Sequence, residues 1–448
     1  MAHTFIGGVH VEDYKNTRRA QIRRMNPAPQ RVCIPMCQHI GVPSVPVVGA
    51  GDIVDRGQLI GEAGAGLGCP VHASVSGKVT RVYDRIGATG SMVTCVEIEN
   101  DFEDRDCKSI KPFEKRLGET SPEEIIEIVK NAGIVGMGGA TFPTYAKIQS
   151  AIGKVTSLII NGAECEPFIT ADHRTMLESP ASVINGTKIL LKALSLRRAY
   201  IAIEDNKLDA VAKLEELLAG SELIKVQVCK TKYPQGDERQ LMYALTGREL
   251  PLGKLPADIG CVIFNAATAA AIFRAFAKGM PLIERVITVD GDCVREPGNV
   301  LVPLGASAMD VIEACGGLVK QPHKLIFGGP MMGVAQWDPE TPVTKGTTAI
   351  LALSRDFEAV GKYEQPPVCI HCGKCGEVCP VYLLPNYIAE FELAGRLDEA
   401  ERFGAEACVE CGACSYICPG YFPVTQYVKN AKSKVIAAKR RSGVKNAR

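Results

Sequence analysis

The chain has 448 residues, 46% of them apolar, and its 51 Lys and Arg and 50 Asp and Glu leave a net charge of +1. This length allows three or four domains, each with its own core, and the chain has no nucleic-acid recognition motif. It also lacks the apolar segment of a signal peptide and any uncharged apolar run of about 18 residues, so we expect a soluble, cytoplasmic protein.

The first region, residues 40–100, alternates short β-type runs with glycine turns, which predicts a small β barrel or sandwich. The order Gly51-Asp52, Gly57-Gln58 and Ser76-Gly77-Lys78 resembles the barrel-sandwich fold of biotinyl and lipoyl carrier domains. Those domains carry a modifiable lysine at a hairpin tip, where this chain has Ala73-Ser74-Val75. We therefore expect a scaffold at residues 31–115, after an N-terminal arm at residues 1–30.

An open α/β domain is predicted at residues 116–284. Ser121, Pro122 and Glu124 form the capping box that starts a helix. Beyond it, strand-like runs at 157–160, 199–203, 223–228 and 261–264 alternate with helical runs at 180–193, 206–219, 238–247 and 266–278. This alternation indicates a mainly parallel sheet, which binds ligands at the carboxyl ends of its strands.

The chain becomes β-rich again after Arg285, with strand-like runs at 286–289 and 298–303 and a helix at 307–315. This pattern resembles the soluble-ligand-binding β-grasp domain, which we place at residues 285–350. A linker at residues 351–367 should lead to a helical ferredoxin-like domain at residues 368–448, which ends in a basic helix.

Two cysteine runs lie in this last region: Cys369-x2-Cys372-x2-Cys375-x3-Cys379-Pro380 and Cys408-x2-Cys411-x2-Cys414-x3-Cys418-Pro419. In bacterial two-cluster ferredoxins, three cysteines of such a run hold one iron–sulfur cluster and the fourth holds the other. We therefore assign one [4Fe–4S] cluster to Cys369, Cys372, Cys375 and Cys418, and the second to Cys408, Cys411, Cys414 and Cys379. The alternatives are a zinc ribbon, which needs only four thiols, and disulfides, which a reducing cytosol disfavours.

Both ends of the chain are basic. Residues 15–31 contain six Lys or Arg and no acid, and residues 429–448 contain eight and no acid. Such ends are either solvated or attracted to an anionic membrane surface or an acidic partner. Because the cysteine runs end upstream of Gln426, we expect the C-terminal segment to be removable without loss of cofactors.

Several polar motifs follow the helix and strands of the α/β region: the loop Gly136-Met-Gly138-Gly139-Ala-Thr141-Phe142 with Lys147 beyond it, Asn161-Gly-Ala-Glu164-Cys-Glu166, Tyr233-Pro-Gln-Gly236-Asp237-Glu238 and Asn265-Ala-Ala-Thr268. A glycine loop lets backbone N–H groups approach a phosphate, and a lysine adds positive charge. A structural turn is the alternative for the loop taken alone.

Together the motifs resemble the flavin domain of the NADH-oxidising subunit of respiratory complex I and of related hydrogenases. The resemblance implies FMN contacts at Gly138, Gly139, Lys147, Asn161, Glu164, Tyr233, Gly236, Glu238, Asn265 and Thr268. It places Phe142, Glu166 and Asp237 nearer NAD(H). This chain has Thr141 at a glycine position of that family and Asp237 at a glutamate position.

Further motifs extend the resemblance over nearly the whole chain, among them Pro35-Met-Cys-Gln38-His39, Asp172-His173-Arg174 and Phe327-Gly-Gly-Pro-Met-Met-Gly333. Read together, they resemble the RnfC family, which belongs to the Rnf complexes, the ion-translocating ferredoxin:NAD⁺ oxidoreductases. The resemblance implies an oxidoreductase subunit that exchanges electrons between NAD(H) and two [4Fe–4S] clusters through FMN. It also implies a peripheral protein at the cytoplasmic face of the cell membrane, with membrane subunits as partners and ferredoxin as an indirect one.

The sequence leaves two other functions open. One is a cobalamin reductase, which resembles the flavin and cluster regions but typically lacks the segment at 31–100. The other is a flavin-free electron wire or docking scaffold. The coupling ion, Na⁺ or H⁺, and the preference for NAD or NADP are not encoded in any motif that we recognise.

Overall fold

The structure, a computed structural model, describes residues 2–361 and 366–441. The predicted linker and the predicted basic helix therefore lie partly outside the described residues. Among the described residues, no helix combines the length and apolar character required to cross a bilayer.

The first region contains the strands β1 (Ile22–Arg24), β2 (Arg31–Pro35), β3 (Val45–Pro46), β4 (Ile53–Val54), β5 (Leu59–Glu62), β6 (Val71–His72), β7 (Gly77–Ile86) and β8 (Met92–Asn100), of which β7 and β8 are the longest. Seven of them form two small sheets, in the orders β2-β8-β7-β4 and β3-β5-β6. Inward-facing side chains such as Val32, Ile34, Ile60 and Ile98 form their shared core. In β2, the buried Val32 and Ile34 are two residues apart and therefore face the same side of the sheet, as the two-residue period of a strand requires.

The central region alternates helices and strands: α1 (Pro122–Asn131), α2 (Thr144–Ala151), β9 (Ser157–Gly162), α3 (Ala171–Glu178), α4 (Pro180–Ala193), β10 (Ala199–Glu204), α5 (Leu208–Leu217), β11 (Ile224–Cys229), α6 (Glu238–Thr246), β12 (Cys261–Asn265) and α7 (Ala266–Lys278). Its sheet, β11-β10-β9-β12, is parallel throughout, as predicted. The loops after β9 and β12 therefore emerge at one edge of the sheet.

The third region contains β13 (Glu284–Asp290), β14 (Gly298–Pro303), α8 (Ala308–Glu313), β15 (Lys324–Phe327), β16 (Val334–Gln336) and β17 (Ala349–Leu353). They form a six-stranded sheet in the order β1-β14-β13-β17-β15-β16. The predicted N-terminal arm thus supplies an edge strand, because β1 pairs in parallel with β14.

The C-terminal region is helical, with α9 (Glu358–Gly361), α10 (Lys374–Glu377), α11 (Pro385–Leu393), α12 (Leu397–Arg402), α13 (Ala413–Tyr416) and α14 (Val424–Arg441). The short helices α10 and α13 lie at equivalent places in the two cysteine runs. The long α14 buries Val428, Ala431 and Val435 against the rest of the region. The chain is thus a multidomain protein with α/β, β and helical parts.

Candidate functional site

The glycine loop lies at the carboxyl edge of the parallel sheet. Met137 N donates to Thr268 Oγ1 at 2.9 Å, and the buried Arg285 donates from Nη2 to Met137 O at 3.1 Å. Gly139 has a φ of +113°, and a Cβ built there would have no atom within 4 Å. Thr141 has a φ of +51°, the left-handed region that glycine adopts most easily. The backbone is therefore open at Gly139, and Thr141 retains a glycine-like conformation.

The loop after β9 is held in place by its own polar groups. Asn161 Nδ2 donates to Gly236 O at 2.8 Å, which joins this loop to the turn before α6. The Glu164 carboxylate accepts N–H groups from Asp172 at 2.8 Å and from His173 at 3.2 Å, in the first turn of α3. A carboxylate at a helix N-terminus is stabilised by the unpaired N–H groups and the helix dipole.

Two buried lysines hold the backbone of the same loop. Lys15 Nζ donates to the carbonyls of Glu164 at 2.8 Å, Glu166 at 2.7 Å and Ile169 at 2.5 Å. Lys207 Nζ donates to Glu204 Oε2 at 2.7 Å and to Glu164 O at 3.3 Å. Burial lowers the pKa of Lys15. No sequence motif indicates either lysine, since each lies far from the loop along the chain.

Glu166 does not lie free in the cleft. Its carboxylate accepts N–H groups from Met331 at 3.2 Å and Met332 at 2.9 Å, in the loop after β15. A Cβ at Gly329 would clash with Glu166 Oε2, so this close contact requires glycine. Burial raises the pKa of Glu166 to about 7. Glu166 therefore joins the central region to the third region.

The turn before α6 connects the loops to the helical region. Tyr233 is 1% exposed, and its hydroxyl donates to Cys411 O at 2.6 Å. Gly236 packs so closely that a Cβ would clash with Ala163 O. Asp237 caps α6 by accepting from Arg239 N and Gln240 N, and burial raises its pKa. Both polar atoms of the buried Gln235 amide have no hydrogen-bond partner among the described residues.

The remaining predicted residues border the same edge. Lys147 Nζ lies 2.5 Å from Glu238 Oε1, so this ion pair joins α2, the helix that follows the glycine loop, to the start of α6. Asn265 caps α7 and donates to Asp172 Oδ2 at 2.5 Å. A Cβ at Gly138 would lie 3.5 Å from Asn265 Cβ. Phe142 is half-buried and accepts at its carbonyl from Gly136 N.

The eight cysteines of the two runs line two separate pockets. One, which we call the inner pocket, is lined by Cys379, Cys408, Cys411 and Cys414. The other, the outer pocket, is lined by Cys369, Cys372, Cys375 and Cys418. These are the two groups that the crossed pairing predicts. Burial raises the pKa of Cys411 and of Cys414 to about 12.

The residues present fit the expected groups. Each cysteine pocket offers four sulfur ligands, the number that a [4Fe–4S] cluster takes. The open backbone at Gly139, the neighbouring Lys147 and the unpartnered amide of Gln235 fit a polar, phosphate-bearing cofactor such as FMN. Gln235 lies at an unspecified position of the Tyr-x-x-Gly motif, where the sequence carried no signal for it.

Four family models match the chain in order. They are the RnfC barrel sandwich hybrid domain at residues 3–103, the Nuo51 FMN-binding domain at residues 129–274, the SLBB domain at residues 286–335 and the 4Fe-4S dicluster domain at residues 361–419. They agree with the fold class that the sequence predicts, at the level of these four kinds of domain.

Among solved structures, the NAD⁺-reducing [NiFe]-hydrogenase in the H₂-reduced state is similar, with a TM-score of 0.51 at 17% identity. The match covers 74% of this chain and 68% of the hydrogenase chain. At this identity the likeness shows the fold alone.

Curated relatives are similar over most of the chain. The RnfC protein of the Na⁺-translocating ferredoxin:NAD⁺ oxidoreductase complex of Acetobacterium woodii is 43% identical over 89% of this chain and 89% of its own length. The counterpart from the proton-translocating complex of Clostridium ljungdahlii is 42% identical over 87% and 84%. The counterpart from the ion-translocating oxidoreductase complex of Rhodobacter capsulatus is 40% identical over 89% and 76%. At this identity and coverage, the chain belongs to the RnfC family of the ion-translocating ferredoxin:NAD⁺ oxidoreductase complexes.

Proposed function

We propose that the chain is the subunit that exchanges electrons between NAD(H) and the other subunits of a ferredoxin:NAD⁺ oxidoreductase complex, using FMN and two [4Fe–4S] clusters. FMN, when bound, accepts a hydride from the nicotinamide or donates one to it, and it exchanges single electrons with iron–sulfur centres. The observation that carries the proposal is the hydrogen bond from Tyr233 to Cys411 O. This bond joins the turn before α6, where we place part of the FMN site, directly to the inner cysteine pocket.

We assign the flavin phosphate to the glycine loop. Gly138 and Gly139 would turn backbone N–H groups to it, and Lys147 would supply charge. Asn161, Glu164, Tyr233, Gly236, Glu238, Asn265 and Thr268 would line the remainder of the FMN site. Their support is the network of bonds that brings the loops after β9 and β12 and the turn before α6 together.

We place NAD(H) beside Phe142 and Asp237. Glu166 contributes indirectly in this arrangement, because both of its carboxylate oxygens are engaged by the amides of Met331 and Met332. Its role is to hold the loop of the third region beside the nucleotide site. The side chains need not move a proton, since hydride transfer itself requires no acid or base.

We assign the cluster ligands by pocket. Cys379, Cys408, Cys411 and Cys414 would hold the cluster next to the flavin site, and Cys369, Cys372, Cys375 and Cys418 would hold the second. The grouping of the thiols around the two pockets supports this assignment. A zinc ribbon would leave one of the two groups unused.

We also propose that the chain lies at the cytoplasmic face of a membrane as a peripheral protein. It would bind ion-translocating subunits, with ferredoxin as an indirect partner. The support is the names of the relatives, which describe ion-translocating complexes. The relative from a Na⁺-translocating complex is 43% identical to this chain, and the relative from a proton-translocating complex is 42% identical. Sequence identity therefore does not distinguish between the two coupling ions. The family match at residues 3–103 covers the segment that argued against a cobalamin reductase.

The test is to measure FMN and iron in the purified protein after Gly139→Val and, separately, Lys147→Ala. The valine places bulk in the open space beside the backbone, and the alanine removes the cation. We expect FMN content to fall in both variants while iron stays near about eight atoms per chain, as two cubane clusters require. A wild-type protein that releases no FMN on acid extraction would instead support a flavin-free electron wire. Full FMN occupancy in both variants would place the site elsewhere.

A further inference from the structure

The two cysteine pockets differ in what surrounds them. The inner pocket is enclosed by other regions: Gly8 N donates to Val378 O, and Gln240 Nε2 donates to Pro380 O, beside Cys379. A Cβ at Gly412 would lie 2.7 Å from Met331 O of the third region. At the outer pocket, by contrast, Cys372 is exposed, and a Cβ at Gly373 would meet no atom within 4 Å.

Exposed apolar side chains lie at the start of the first cysteine run and at the start of α11. We call them the exit face, and they are Val368 at 57% exposure, Ile370 at 59%, Leu384 at 47% and Tyr387 at 44%. Ile370 lines the outer pocket itself, and Val368 N donates to Gly420 O, two residues after Cys418. Leu384 Cδ2 lies 3.5 Å from the position of a Cβ on Gly376, next to Cys375.

One contact links the two segments that contribute to the exit face. Leu384, Tyr387 and Glu390 are spaced three residues apart at the start of α11 and along it, so they share one side of that helix. Glu390 Oε1 lies 3.3 Å from His371 Nδ1, and this contact joins α11 to the first cysteine run. The exposed charges around the opening are of both signs, Lys374 and Glu377 among them.

The basic helix α14 of the same region is a weaker candidate for a docking surface than the exit face. On α14, Lys432 lies 2.9 Å from Glu410 Oε1 and Lys434 lies 2.6 Å from Glu392 Oε1. Lys439 pairs with Glu401 at 2.8 Å and also with Glu406. Ion pairs within the chain thus neutralise much of the positive charge of this helix.

We propose that the exit face is the docking surface for a protein that carries its own one-electron redox centre. This inference rests on the proposed function, which places a cluster in the outer pocket. The exposed Cys372 of the outer pocket identifies the kind of partner, because a redox protein must come close to the edge of the redox centre with which it exchanges electrons. A few exposed apolar side chains suit the small interfaces of electron-transfer complexes. For an anionic lipid surface, we would instead expect uniformly basic side chains around the opening.

The test uses the full-length holoprotein with Leu384→Glu and, separately, Tyr387→Glu. The matched control is Leu255→Glu, since Leu255 is 62% exposed and lies in the central region, away from the cysteine pockets. The probe is the detergent-solubilised remainder of the complex, purified from cells that lack this protein and immobilised on a sensor. Iron content and the electron paramagnetic resonance spectra of both clusters are recorded for every variant.

We expect Leu384→Glu and Tyr387→Glu to raise the Kd about ten-fold or more, as for central anchors of an interface. Leu255→Glu should bind like the wild type. A photo-cross-linking residue at position 387 should label a protein that contains a redox cofactor. Absence of iron from the wild type would overturn the proposed function itself and not only the docking surface.

Two results would overturn the docking proposal. One is unchanged binding by both variants while they retain about eight iron atoms per chain. The other is binding of the wild type to vesicles of anionic phospholipid that Leu384→Glu abolishes, which would make the face a membrane contact.

Discussion

At the scale of single residues, the cysteines and the buried lysines show what a sequence can and cannot reveal. The spacing of the eight cysteines alone predicts two groups of four, and the structure places those same groups around two pockets. Local chemistry explains this spacing, because in two-cluster ferredoxins three closely spaced cysteines of each run bind one cluster and the fourth binds the other. Lys15 and Lys207 have no such pattern. They reach the loop after β9 only through the tertiary fold, so nothing in their sequence neighbourhood indicates a role.

Lys15 provides a prediction at this scale. Lys15→Met keeps most of the apolar stem but removes the donor shared by three carbonyls, of which that of Glu164 keeps a second donor, Lys207. Each buried acceptor left unpaired costs about 1–3 kcal/mol, so the loop that carries Asn161 and Glu164 should lose its fixed position. We expect at least about ten-fold weaker FMN binding, measured by fluorescence titration of flavin-stripped protein, with iron content unchanged.

The control for this change is Lys213→Met, because Lys213 pairs with Glu216 on the surface of α5 and its side chain is 42% exposed. Exposed ion pairs contribute about 1 kcal/mol or less, so FMN affinity should be unaffected. Equal FMN affinity in Lys15→Met and Lys213→Met would mean that the buried lysine does not position the flavin loop.

At the scale of elements, the sequence predicts several helices that carry a strong local signal, but not the short helices α2 (Thr144–Ala151) and α3 (Ala171–Glu178). The capping box at Ser121 starts α1 as expected, with Glu124 N donating to Ser121 Oγ at 3.2 Å. Residues 171–178 of α3 carry few apolar side chains and no capping motif, so the sequence gives no local signal for this helix. This omission matters, because the first turn of α3 supplies the N–H groups that hold Glu164.

The C-terminal helix changes one expectation from the sequence. The cysteine positions alone predict that removal of the chain after Gln426 spares the cofactors, but α14 buries Val428, Ala431 and Val435. Lys432 Nζ also donates to Cys408 O at 2.7 Å, beside the inner pocket. The helix is therefore part of the core around the cysteines, and its basic residues are not a separable tail.

A pair of truncations tests this conclusion. A chain that ends after Gln426 loses three buried apolar side chains, of which each valine contributes about 1.5–3 kcal/mol. We expect it to lose most of its iron. A chain that ends after Arg441 keeps all of α14 and should retain about eight iron atoms. Full iron content in the shorter chain, measured by colorimetric assay and electron paramagnetic resonance, would show that α14 is dispensable.

At the scale of the whole molecule, the regions meet behind the glycine loop, at a junction that no sequence motif indicates. Lys345 of the third region is 1% exposed, and its Nζ donates to Pro70 O at 2.9 Å and to Gly133 O at 2.7 Å. Its backbone N donates to Gln38 Oε1 at 3.0 Å. One buried lysine thus joins three regions. Composition and periodicity indicate approximate boundaries of these regions but not the contacts between them.

Lys345→Met should therefore loosen the junction while the cysteine pockets remain intact. Two hydrogen bonds from a buried charged donor are lost, each of which contributes about 1.5–3 kcal/mol, and the desolvation cost of the ammonium is relieved, so we expect a net loss of about 2 kcal/mol. The temperature of FMN release, followed by flavin fluorescence, should fall by roughly 5 °C, whereas cluster absorbance should be lost at the wild-type temperature. Lys324→Met changes an exposed lysine of the same region and serves as the control. If both variants release FMN at the wild-type temperature, Lys345 does not hold the regions together around the flavin site.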